Sequence, residues 1–104
     1  NSNGTYIKYP DGTLICWAYR TGGSTVTKAT GNMFRNEETV WTFPMAFTGT
    51  PAVSANPSSL IGEAWAGLGG RATDSTGTSF IVFSSWKRGT ALPVVSLIAI
   101  GRWK

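Results

Sequence analysis

The side chains best suited to chemistry in this chain are its aromatics, set among short polar residues. Five Trp and three Tyr stand in 104 residues. An indole face stacks on the C–H face of a sugar ring, while Asn, Asp, Ser, Thr and Arg bond the ring hydroxyls. Trp65 lies in a Gly-rich stretch, and Trp86 stands beside Lys87 and Arg88. Arg71 and Asp74 flank the next turn-rich segment. These six residues, Trp65, Arg71, Asp74, Trp86, Lys87 and Arg88, are the candidate ligand-binding set, because loops carry exposed side chains more often than strands do.

Acid–base and nucleophilic chemistry is poorly served. There is no His, and the carboxylates are Asp11, Glu37, Glu38, Glu63 and Asp74. Asp11 belongs to a turn, and Glu37 and Glu38 are neighbours that point to opposite sides of an extended chain. Glu63 with Asp74 would be one way to assemble a glycosidase pair in space. No spacing argues for it, and no catalytic residue is expected. The single Cys16 lies in an apolar segment with no His to activate it, so a buried, inert thiol is expected. One Cys and no His also exclude an intrachain disulfide and a Cys/His zinc site made by one chain. Asp74-Ser-Thr76 offers a cation one carboxylate, too little for calcium. No metal and no cofactor are expected. The segment 67–70 precedes no helix and is no phosphate loop.

The elements that must hold these residues read as strands. Hydrophobic residues make up 41% of the chain, enough for an ordered domain, and no apolar run approaches the ~20 residues of a membrane span. Thirteen Gly and five Pro punctuate short apolar stretches, and no helical periodicity extends over three turns. Strands are predicted at about 5–9, 13–19, 38–43, 51–56, 71–75, 78–86 and 94–103. Pro10-Asp-Gly12 turns the first hairpin, Asn56-Pro-Ser-Ser59 reads as a turn, and Asp74-Ser-Thr-Gly77 joins two strands. The segment 25–37 holds either a weak strand or an ordered loop, with Met33 and Phe34 anchored to the core. Residues 63–70 read as an irregular loop or edge. The prediction is one all-β domain over 1–104, an antiparallel β-sandwich-like fold, read as the C-terminal fragment of a longer chain.

Several strands are apolar on both faces. Leu14, Cys16 and Ala18 alternate with Ile15, Trp17 and Tyr19; Phe80, Val82 and Trp86 with Ile81 and Phe83; Val94, Ile98 and Ile100 with Val95, Leu97, Ala99 and Trp103. A sandwich covers only the inner face of each sheet, so a partner chain is expected on the outer one. Ile15, Trp17, Tyr19, Ile98, Ile100 and Trp103 are the candidate interface. The alternative is a compact barrel with aromatics partly exposed. The net charge of +4 is dispersed along the chain, with only Lys87 and Arg88 adjacent. That pattern reads as dispersed surface charge rather than a nucleic-acid patch, whose binding would show a steep salt dependence, and an anionic polysaccharide is an equally good partner for such a field.

Tyr6-Ile-Lys-Tyr-Pro-Asp-Gly-Thr-Leu-Ile-Cys-Trp17 resembles the opening of C-terminal tail-fibre domains of phages and prophages. Trp41-Thr-Phe-Pro-Met-Ala-Phe-Thr-Gly-Thr-Pro51 is similar to an internal segment of that family, and Ala99-Ile-Gly-Arg-Trp-Lys104 to its closing strand. The three segments occur in order across nearly the whole chain. The resemblance implies a homotrimeric β-sandwich-like domain at the distal end of a virion tail fibre. There it would bind bacterial capsule, lipopolysaccharide or another surface glycan without catalysis, and with no nucleic-acid partner or membrane insertion. The shared segments are scaffold, so the resemblance assigns no binding residue. Two other roles stay open: a segment of a polysaccharide-degrading spike, and a purely structural trimerisation cap.

Overall fold

The computed structural model describes residues 1–58, 64–89 and 92–104. Among them the chain forms strands and no helix: β1 (Thr5–Lys8), β2 (Thr13–Thr21), β3 (Lys28–Thr30), β4 (Met33–Arg35), β5 (Thr39–Thr42), β6 (Ala52–Pro57), β7 (Ala64–Leu68), β8 (Gly77–Ser84) and β9 (Val94–Arg102). The first hairpin shows why the sequence turns where it does. Gly12 takes φ +105°, a left-handed value that L side chains avoid. The Asp11 carboxylate accepts a hydrogen bond from the Thr13 amide at 2.9 Å, and Tyr9 N–H meets the Thr13 carbonyl at 2.8 Å. That geometry pairs Ile7 with Ile15 and Thr5 with Trp17.

All pairings are antiparallel. One sheet runs β1-β2-β9-β6, with β9 paired along its length to β2 and, from the other side, to β6. The second sheet is built around β8. On one edge of β8, β5 and β4 lie end to end; β7 lies along the other. Between β5 and β4, Asn36 continues the ladder. Its backbone N–H donates to the Val82 carbonyl at 3.1 Å, and its side-chain oxygen accepts from Val82 N–H at 2.9 Å. Asn36 is buried, and its amide also donates to the Ser24 carbonyl at 3.3 Å. The side chain thus supplies the acceptor that a strand partner would have offered.

The two sheets share one core. Leu14, Cys16 and Ala18 of β2 and Val95, Leu97 and Ala99 of β9 face Trp41, Phe80 and Val82 of the second sheet, with Val26, Phe43 and Phe47 from the connections. Trp41, Phe43 and Phe47 pack edge to face in series, with centroids 5.0 and 5.1 Å apart. Cys16 is buried as expected, and burial pushes its thiol pKa up, so it stays protonated at neutral pH.

Three expectations need correction. The partner of β8 across the hairpin is β7, within the stretch read as an irregular loop; residues 71–75 form no strand. The Asp74 carboxylate accepts from the Thr76 N–H, the Thr76 hydroxyl and the Gly77 N–H at 2.8, 2.8 and 3.0 Å, which curls this segment. The carbonyls of Ser75 and Thr76 are taken by the amides of Phe47 and Phe43. Second, β6 extends through Asn56 and Pro57, where a turn was expected. Third, Trp86 lies beyond the end of β8 rather than within it. The ambiguous segment 25–37 resolves into the short β3–β4 hairpin, turned at Gly31 with φ +59°. There Phe34 packs against the core while Met33 is exposed.

Candidate ligand-binding surfaces

The six candidate ligand residues fall into two groups at opposite ends of β8. Arg71 and Asp74 sit beside Gly77, while Trp86, Lys87 and Arg88 follow Ser84, and Trp65 pairs with Phe83. At about 3.4 Å per residue, the two ends of β8 lie about 24 Å apart.

The Arg71 end is satisfied by its own contacts. The Arg71 guanidinium meets both Asp74 oxygens at 3.3 Å and the Thr76 hydroxyl at 3.2 Å. Buried Ser79 bonds the Arg71 backbone and Glu38 at 3.1 Å, and Glu38 also accepts from the Gly70 amide. The amide and hydroxyl of Thr76, then the Arg71 side chain and the Gly77 amide, hold the Asp74 carboxyl well below its ordinary 3.8. A depressed folded-state pKa means that the ionised form stabilises the fold above the unfolded value of 3.8, and that this is lost as pH falls below it. Thermal melts of Asp74→Asn and wild type should therefore differ most above about pH 4 and converge on acidification. A gap that stays constant with pH would remove the charge from the account.

The other end is more open. Trp65 is exposed on one side and stacks on Phe83 with centroids 6.1 Å apart and a 16° interplanar angle. Phe83 on the outer face of β8 is thus flanked by the chain's own Trp65, and Ile81 is buried. The Arg88 guanidinium lies 4.9 Å from the exposed Trp86 ring, and its Nε donates to Ser84 Oγ at 2.9 Å. Its Nη2 is buried and, among the described residues, has no hydrogen-bond partner. The backbone of Arg88 is bridged to Val26.

The candidate interface residues gather on the outer face of the first sheet, except one. Register sets them in rows across the strands: Ile7–Ile15–Ile100–Ala52, then Thr5–Trp17–Ile98–Ser54, then Tyr19–Ser96–Asn56. Ile7, Ile98 and Ile100 are 40 to 46% exposed and Tyr19 70%. Ile7 belongs to this patch and was not singled out by sequence. Trp103 is set apart. It has the inward parity of Leu97 and Ala99 and packs against the core. Its indole N–H donates to the Tyr9 carbonyl at 2.7 Å, with the Lys8 and Lys104 ammoniums 4.7 and 5.0 Å from the ring.

A cleft of about 220 Å³ opens on this face, lined by Trp17, Tyr19, Ser54, Asn56, Ser96 and Ile98. On the other side of the Trp17–Tyr19 ridge lies a second, shallower depression of about 470 Å³, lined among others by Asn1, Ser2, Thr5 and Arg20. Sequence pointed to Trp17 and Tyr19 as apolar contact area and gave no sign of Ser54 and Asn56 opposite them.

Among the described residues no group of His, Cys, Asp and Glu clusters as a metal site. Glu37 pairs with Lys28 at 3.2 Å, and Glu38 is engaged as above. Glu63, and with it the Glu63–Asp74 pairing, lies outside the described residues.

No family profile and no curated protein sequence matches the chain. Its fold is similar to that of the P. aeruginosa R1 pyocin fibre, in a structure comprising C-terminal residues 323–701, with a TM-score of 0.60 and 19% identity. The match covers 94% of this chain and 26% of that one.

Proposed function

We propose that the chain is a receptor-binding domain of a phage tail fibre, placed at the distal end of the virion's fibre. It holds bacterial surface glycan reversibly and catalyses nothing. The observation that carries this reading is the tail-fibre-like fold, shared with the pyocin fibre over 94% of the chain. Exposed Trp65 and Trp86, the latter beside Lys87 and Arg88, support a glycan ligand, anionic at that end. The domain works as a homotrimer whose copies meet on the apolar rows around Ile7, Ile15 and Ile100. Three weak sites on one rigid tip give useful adhesion by avidity, which is how contacts of about millimolar strength hold a particle to a cell.

Fluorescently labelled chain, applied to a panel of bacterial strains, should decorate a subset of them. Decoration should fall when the surface polysaccharide is stripped and when Trp65 and Trp86 are both changed to Ala. A chain that labels no strain, or labels stripped cells equally, would sink the glycan-receptor reading. A fall in polymer size after incubation with host capsule would replace binding with degradation.

A further inference from the structure

The cleft on the first sheet has two unlike walls. Register places Trp17 beside Ile98 and Ile98 beside Ser54; one row on, Tyr19 stands beside Ser96 and Ser96 beside Asn56. The β2 wall is therefore aromatic, the β6 wall is hydroxyl and amide, and β9 forms a floor of Ser96 and Ile98. Two strand spacings separate the walls by about 9.6 Å, room for one flat ring between them. The polar groups are uncommitted. Among the described residues, the side chains of Tyr19, Ser54 and Asn56 make no hydrogen bond, and only the Ser96 hydroxyl is engaged, donating to the Asn56 carbonyl at 3.2 Å. Among the described residues no charged side chain lines the cleft.

Among the described residues Tyr19 is the most exposed large hydrophobic side chain at 70%, and it stands where the face turns polar. The apolar row of Ile7, Ile15 and Ile100 lies four residues back along the strands, about 14 Å away. A copy whose contact centres beyond that row, toward Thr13 and Arg102, would leave Tyr19, Ser96 and Asn56 open.

We infer that this cleft is a saccharide subsite for one uncharged pyranose residue. The ring's C–H face stacks on Trp17 and Tyr19, and its hydroxyls bond Ser54, Asn56 and the tyrosine hydroxyl. A volume of about 220 Å³ suits one ring rather than a drug-sized ligand, whose pockets start at about 300 Å³. The described lining carries no charge and so selects a neutral ring, since an ionised carboxylate here would lose water and gain no cation from it. The inference deepens the glycan-receptor reading and rests on it for biological meaning. Its chemistry differs from that of the cationic Trp86–Arg88 end, so one polymer carrying neutral and acidic residues would engage both.

Backbone amide shifts of ¹⁵N-labelled chain, titrated with the methyl pyranosides of glucose, galactose and N-acetylglucosamine and with glucuronate, test it directly. At least one neutral pyranoside should move the Tyr19, Asn56 and Ser96 amides saturably. Tyr19→Ala and Asn56→Ala should each weaken that binding roughly tenfold, with the remaining spectrum preserved, and Val40→Ala, at an exposed position on β5 of the other sheet, should leave it unchanged. Three results would each overturn the subsite. One is no movement of these amides with any of the three neutral sugars; another is tighter binding of glucuronate than of all three. The last is a Tyr19→Ala chain that dissociates into single copies, which would make the cleft part of the contact between copies. Failure of the receptor reading has a different signature: saturable shifts at the cleft in a chain that decorates no cell.

Discussion

Trp41→Ala should abolish cooperative folding of the chain or lower its melting temperature by at least about 15 °C. Trp41 is fully buried, stacks edge to face on Phe43, and carries the aromatic series that ends at Phe47. Removing a buried aromatic to Ala costs about 3–5 kcal/mol, through lost transfer energy and the cavity left behind. The indole N–H also donates to the Asn3 carbonyl at 2.9 Å, fastening the segment before β1 over the core, and that bond contributes about 1 kcal/mol more. A domain of this size has roughly 5–15 kcal/mol in total, and each kcal/mol is worth about 4–8 °C. Far-ultraviolet circular dichroism against temperature reads the change. Trp41→Phe keeps most of the ring and loses the N–H, so its melt should fall between the two. A loss below about 5 °C for the alanine variant would show that Trp41 does not organise the core.

The importance of Trp41 was only partly legible, because sequence alone set it within the strand predicted at 38–43 without choosing its face. What the sequence shows well is local. Alternation in Leu14–Tyr19 and Val94–Ile100 gives two strands and their inward sets correctly, since the period of two is written residue by residue. The Pro-Asp-Gly turn is equally local, because Asp11 and Gly12 carry the geometry in their own side chain and φ. The misread segments depend on distant partners. Small residues at Ala64, Ala66 and Gly67 make a strand because β8 offers a free edge, 14 to 20 positions away in the chain. Residues 71–76 fail to pair because Asp74 gathers its own amides and because Phe43 and Phe47 take the free carbonyls. The cleft was invisible for the same reason. Ser54 and Asn56 face Trp17 and Tyr19 only once β9 stands between β6 and β2. Trp103, read as outer surface, has inward parity and a hydrogen bond to Tyr9 that only the folded hairpin provides.

Ile100→Lys should convert the proposed trimer to single copies while leaving the fold of each copy intact. Ile100 is 46% exposed in the single chain, with Ile15 and Ala52 beside it in the row. A lysine there can carry its ammonium into water, so the cost to a lone copy is within about 0.5 kcal/mol. In the assembly the same ammonium enters an apolar contact without a partner, at a cost of several kcal/mol per copy, repeated at each symmetry-related contact. A position three residues back on the same strand supplies the contrast. Leu97 points into the core, is 3% exposed, and its replacement by Lys should unfold the chain outright. Light scattering distinguishes the cases by mass, and circular dichroism by strand content. The expected pattern is three copies for wild type, one folded copy for Ile100→Lys, and an unfolded chain for Leu97→Lys. Wild type of one copy, or an Ile100→Lys chain that keeps the trimer mass, would remove the outer face of the first sheet from assembly. With dissociation goes avidity: a single copy loses the multiplied hold on a repeating glycan, so Ile100→Lys should fail to stay on cells even with Trp65, Trp86 and Tyr19 untouched.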